Sequence, residues 1–162
     1  MFKHILLPTD GSPLSARAVA AGIELAKVLG ARVTALFVAP PATPLVFEHF
    51  LPVRYMVPDD HAALIAREAA HALGQVEKAA KAAGVPCTAK QLTSDYPADA
   101  IVMTATRSKC DLIVMASHGR TGVSAVLLGS ETHKVLTHSK IPVLVHRKAG
   151  RAPVSAKRTD WR

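Results

Sequence analysis

Cysteine is nearly missing from this chain. Its 162 residues include two, Cys87 and Cys110, too few for a disulfide framework and without the spacing of a metal-binding pair. Both are expected as reduced, partly buried thiols. Long apolar runs are missing too. Hydrophobic residues make up 49% of the chain, yet each uninterrupted stretch is far shorter than the roughly 20 residues a membrane span requires. A secretory signal is also absent: Met1-Phe2-Lys3-His4 and a short apolar run lead into Pro8-Thr9-Asp10 without a small-residue cleavage site. These absences predict a cytoplasmic protein with no membrane partner, whose first strand lies at the N-terminus. No internal repeat or low-complexity tract interrupts the chain, and its length suits one domain.

What the chain has in excess is positive charge, +8 in all. The placement of that charge argues against a basic groove. Arg147, Lys148, Arg151, Lys157, Arg158 and Arg162 face a single acid, Asp160, so +5 of the +8 lies at the C-terminal end. The predicted organisation is therefore one domain over 1–147 and a basic, disordered tail over 148–162. Nucleic acid is not an expected partner of the body. The alternative for the tail is a weak contact with RNA, lipid or an acidic partner.

Strand and helix patterns alternate along the body. His4–Leu7 reads as a short buried strand, followed by the turn Asp10-Gly11-Ser12-Pro13, with Ser12 as N-cap and Pro13 at the first helical position. An alanine-rich helix runs to about Leu29 and closes on Gly30. Arg32–Val38 is a second strand. The segment 39–58 then carries five of the eleven prolines and three of the seven aromatics, a long irregular stretch of the kind that is often functional. It fits a lid, a partner surface or an ordered insert. A long helix from Asp59 to about Ala83 follows, then a strand over Cys87–Thr93, a helix over Ala98–Ser108 and a strand over Asp111–Ser117. A helical segment from about Ser124 to Ser139, interrupted by Gly129, and a last strand over Ile141–His146 complete the body. This alternation predicts an open parallel five-stranded sheet with helices on both faces. The apolar runs Ile5-Leu6-Leu7 and Leu112-Ile113-Val114-Met115 suit strands buried on both sides.

In such sheets ligands sit beyond the carboxyl ends of the strands, where the strand order reverses. Pro8-Thr9-Asp10-Gly11-Ser12, Val38-Ala39 and Ser117-His118-Gly119-Arg120-Thr121-Gly122 fall there. Glycines let a backbone approach phosphate closely, and Gly129-Ser130 at a helix start would aim N–H groups and a dipole at an anion. The same glycines are also ordinary turn punctuation. The Walker lysine arrangement is absent, so P-loop hydrolysis is not expected.

The whole pattern resembles the universal stress protein family. The resemblance runs from Ile5-Leu6-Leu7-Pro8-Thr9-Asp10-Gly11-Ser12 to Val143-Leu144-Val145, and is densest from Asp111 through Arg120 and at Gly129-Ser130. It implies a Rossmann/flavodoxin-like fold of the adenine nucleotide alpha hydrolase type, with strand order 3-2-1-4-5. It also implies a stress-response and signalling module that binds nucleotide, ATP above all, with Mg as companion ion or with none. The family's ATP-binding members carry Gly, two residues, Gly, nine residues, then Gly and a small hydroxylic residue. Here Ala116 stands at the first glycine, while Gly119 and Gly129-Ser130 keep the later spacing, with residues 120–128 between them. By this resemblance Pro8, Thr9 and Asp10 would lie at adenine and ribose, and the Val38 backbone at the adenine edge. Met115, Ala116, His118, Gly119, Arg120, Gly129 and Ser130 would complete the site, with main-chain amides near Gly119, Gly129 and Ser130 on the phosphates. A homodimer through the last strand, at Val143, Leu144 and Val145, is implied as well. Other members bind no nucleotide, and the alternative for this chain is a nucleotide-free stress protein acting through its dimer surface and segment 39–58.

No catalytic set emerges from the residues. The eight histidines lack the four-residue helical spacing of a zinc pair. Asp10 is placed either as a ligand or as a cap of the first helix. Ser130 and His133 are at helical spacing without an orienting carboxylate. A binding module is expected rather than an enzyme, with slow ATP hydrolysis or self-phosphorylation on Ser130 as the alternative.

Overall fold

The structure, a computed structural model, describes residues 1–41, 58–119 and 128–147, with residues 58–61 described by backbone alone. In chain order the elements are β1 (His4–Pro8), α1 (Pro13–Leu29), β2 (Arg32–Ala39), α2 (Pro58–Ala83), β3 (Cys87–Thr93), α3 (Pro97–Arg107), β4 (Leu112–Ala116), α4 (Ser130–His138) and β5 (Val143–His146). All strand pairs are parallel and the order is β3-β2-β1-β4-β5. This is the sheet expected from the sequence. Among the described residues no helix is long and apolar enough to cross a membrane. Residues 42–57, nearly all of the proline-rich segment, and the tail 148–162 lie outside the described residues.

Local chemistry sets the ends of α1. Ser12 Oγ accepts the Ser15 N–H at 3.2 Å and Pro13 opens the first turn. Gly30 closes the helix at φ 61°, in the left-handed region, where a side chain would be strained.

The period-two alternation of the strands divides the core into two layers. Ile5, Leu7, Val33, Ala35 and Val114 pack with Val19 and Ile23 of α1 and Leu73 and Val76 of α2. Leu6, Leu36, Ile113 and Met115 pack on the other face with Ile101 of α3 and Val135 of α4. Each fully buried aliphatic side chain here stabilises the fold by about 1.5–3 kcal/mol. The free thiols fall on opposite layers, Cys87 against the first and Cys110 within the second. Gly22 is needed where α1 crosses the sheet, because a Cβ there would collide with the Leu7 side chain.

Asp111 fixes the start of β4 beside β1. Its carboxylate accepts the N–H of Lys3 at 2.8 Å and of His4 at 2.9 Å. Burial pushes that carboxyl's pKa up, but these N–H bonds prevail and hold it below its usual value. His4 Nε2 shares a hydrogen with Thr34 Oγ1 at 2.8 Å, while burial and then Arg32 lower the imidazole pKa.

The helical segment expected from about Ser124 with a break at Gly129 is described only from Leu128 onward: Ser130 is the first residue of α4, and Gly129 is its N-cap in an extended conformation (φ −63°, ψ 154°). The Gly129 N–H is drawn off to the Ser117 carbonyl at 2.8 Å, and glycine's poor helix propensity suits a boundary better than an interior. Leu128 is not helical, and 120–127 lie outside the described residues. At the last strand, Ile141 is held in a turn by Ser139 Oγ, which accepts its N–H at 3.0 Å, so β5 begins at Val143.

Candidate functional site

The strand order reverses between β1 and β4, since β2 lies on one side of β1 and β4 on the other. The backbone leaving β1 is held by its own side chains. Thr9 Oγ1 accepts the Gly11 N–H at 3.2 Å and shares a hydrogen with Ser15 Oγ at 3.1 Å. Asp10 Oδ1 accepts the Ser12 N–H at 3.0 Å, closing an Asx turn. Ser12, not Asp10, therefore caps α1.

The end of β4 is tied to the start of α4. Thr132 Oγ1 donates to the Ala116 carbonyl at 3.0 Å, and the buried Ser117 accepts the Gly129 N–H through its own carbonyl. Close approach, rather than a positive φ, explains the glycines. A Cβ on Gly129 would stand 3.1 Å from the His118 Cα and Cβ, and one on Gly119 would press into the Asp10 carboxylate.

The first backbone bond of α4 runs from the His133 N–H to the Gly129 carbonyl at 2.9 Å. The N–H groups of Ser130, Glu131 and Thr132 consequently have no acceptor inside the helix. The Gly129 amide, expected from the sequence to meet a phosphate, is already engaged by Ser117. The donors that α4 can offer begin one residue later.

These pieces enclose a cleft of about 450 Å³ at the carboxyl ends of the strands. Every residue assigned to the site from the sequence and described by the structure lines it: Pro8, Thr9, Asp10, Val38, Met115, Ala116, His118, Gly119, Gly129 and Ser130. Arg120 lies outside the described residues. Six further lining residues were not anticipated: Ser15, Leu36, Pro97, Ile101, Glu131 and Thr132. Leu36, Val38, Ile101 and Met115 make one wall apolar, able to take a flat heterocycle, while the α4 end is polar. Ala116 clusters with Leu14 and Ala18 of α1, on the side of the sheet away from Met115. Its methyl thus belongs to the α1 layer.

Among the described residues, no three His, Cys, Asp or Glu side chains converge as metal ligands. A second cavity, of about 480 Å³, opens at the amino ends of the strands and is lined by Lys3, Lys27, Arg32 and Lys109. The C-terminal caps of α1 and α2, Gly30 and Gly84, meet there too. Ligands of open parallel sheets sit beyond the carboxyl ends of the strands, so the carboxyl-end cleft is the better ligand site.

Residues 1–147 match the Universal stress protein family. The chain is 36% identical over 151 residues to universal stress protein MJ0531 of Methanocaldococcus jannaschii, across 91% of this chain and 84% of that one. It is structurally similar to hypothetical protein MJ0577, with TM-score 0.76 at 26% identity over 93% of this chain and 99% of the other. A universal stress protein solved in complex with cAMP has TM-score 0.64 at 26% identity over 90% and 97% of the two chains. With a family match running through all five strands, this chain belongs to the universal stress protein family.

Proposed function

We propose that this protein is a nucleotide-binding stress-response module. It takes an adenine nucleotide, ATP in the first instance, into the carboxyl-end cleft and acts as a homodimer. The observation that carries the reading is the opening of α4 onto that cleft beside an apolar wall. The N–H groups of Ser130, Glu131 and Thr132 supply a donor set and a positive dipole end for phosphate. Leu36, Val38, Ile101 and Met115 supply a slot for the base. Thr9 and Asp10 would meet the sugar, and Gly119 would let phosphate approach the backbone. The universal stress protein solved with cAMP, similar across 90% of this chain, supports an adenine ligand.

The residues present fit a magnesium ion only as a companion of the phosphates. Asp10 offers one carboxylate next to Gly119, and the ion would neutralise phosphate charge there. The homodimer reading rests on β5, an edge strand whose Leu144 is exposed. Cytoplasmic location and the domain limit at 147 belong to the same reading.

The test is direct. Purified protein is denatured, its small molecules are separated by anion exchange and identified by mass, and the stripped protein is titrated calorimetrically with ATP. Copurified adenine nucleotide, or saturable binding that Ser130→Pro weakens, supports the reading. Absence of both defeats it.

A further inference from the structure

Glu131 is the second residue of α4 and lines the cleft. Its carboxylate serves two helices at once. Oε2 accepts the Ala98 N–H in the first turn of α3 at 2.9 Å, and Oε1 meets Lys134 Nζ at 2.9 Å. The α3 terminus needs this acceptor, because its own N-cap, Tyr96, makes no side-chain bond to it. Both helices open on the cleft, through Pro97 and Ser130. One fixed carboxylate therefore sits in the positive field of two helix ends, the field an incoming phosphate would use.

Glu131 brings its negative charge into the lining beside Ser130, at the open end of α4. Lys134 pairs with Glu131 outside the lining, with its side chain 52% exposed. Solvent weakens that compensation. A phosphate chain seated at the α4 terminus would meet the Glu131 charge as well as the helix N–H groups.

We propose that Glu131 is a specificity-determining residue that limits the phosphate charge the cleft accepts, so that a nucleoside monophosphate is favoured over the metal-free triphosphate. The proposal rests on the nucleotide reading above and refines it.

The experiment is calorimetric titration of AMP and ATP in the presence of EDTA, against the wild-type chain and Glu131→Gln. Glutamine keeps an oxygen for the Ala98 N–H and removes the charge. Wild type is expected to bind AMP at least as tightly as ATP. Glu131→Gln should tighten ATP by about three- to tenfold and AMP by less than about twofold. A second measurement needs no variant: in wild type the affinity for ATP relative to AMP should rise with added salt as the repulsion is screened. An unchanged AMP-to-ATP ratio in a folded Glu131→Gln protein overturns the proposal. So does a wild-type ratio that is flat or falls with salt. If neither nucleotide binds wild type or variant, the nucleotide reading itself fails, and this inference with it.

Discussion

A β-carbon on Gly119 would stand 2.6 Å from Asp10 Oδ2. The loop leaving β4 and the turn leaving β1 therefore touch through a glycine that leaves no room for a side chain. Gly119→Ala must push the Asp10 carboxylate away or move the backbone. Gly119 is itself exposed, so the cost should fall on the site more than on the fold. We expect nucleotide affinity to drop by about tenfold, or about 1.4 kcal/mol, with the urea midpoint nearly unchanged. Calorimetry on the variant checks this, and wild-type affinity would show that the contact is irrelevant to binding.

Thr132 makes a second prediction, about stability. Its hydroxyl is buried and donates to the Ala116 carbonyl. Thr132→Val keeps the shape and removes the donor, stranding that carbonyl. The expected loss is about 1–3 kcal/mol by urea denaturation. Thr132→Ser keeps the hydroxyl and should cost less.

Acid sensitivity should arrive in two steps. Burial and Arg32 lower the pKa of His4 in the fold, so below its ordinary value of 6.5 the unfolded chain takes up the proton first. Stability is then lost as pH falls from about 6.5 toward the folded value. Asp111 is also lowered by folding, but as an acid. Its contribution is present above its ordinary value of 3.8 and is lost as pH falls through the folded value. Denaturation curves from pH 7.5 to 3 should show both limbs. His4→Gln should flatten the upper one alone, and an unaltered upper limb in that variant would exclude His4 as its source.

The thiols should differ in reactivity. Burial, and then Asp111, push the Cys110 thiol up to about 11, and its side chain is enclosed in the α3–α4 layer. Cys87 is raised as well, but it lies half-buried on the edge strand β3. In the native protein at pH 8 a disulfide-exchange reagent should label Cys87 slowly and Cys110 only after unfolding. Equal labelling of the two would mean that the layer around Cys110 opens readily.

The legible parts of this molecule were those governed by local rules. Ser12, Pro13 and Gly30 bound α1 as capping chemistry requires, and Cys87–Thr93 forms β3 with the expected limits. The break in the helical pattern at Gly129 could be read from the glycine itself, but not that its N–H is claimed by Ser117. That is a long-range bond. Ser15, Glu131 and Thr132 were missed as cleft residues for a similar reason. An acid and a threonine in the first turn of a helix look like ordinary N-terminal preferences, and only packing shows that α3 and α4 share one end. Ala116 illustrates the reverse. The sequence marks it as a departure from the glycine pattern, and the pleat of β4 then sends its methyl toward Leu14 and Ala18.

The cleft draws its walls from β1, α1, β2, α3, β4 and α4, stretches of chain that run from Pro8 to Thr132. A molecule seated there would bridge segments that the backbone itself joins only through long crossovers. Occupancy would then act as a non-covalent crosslink across the domain, raising the resistance of the whole sheet to opening and not that of one loop. A ligand that binds only the folded protein would thus make its persistence depend on supply, the folded population growing with how full the site is.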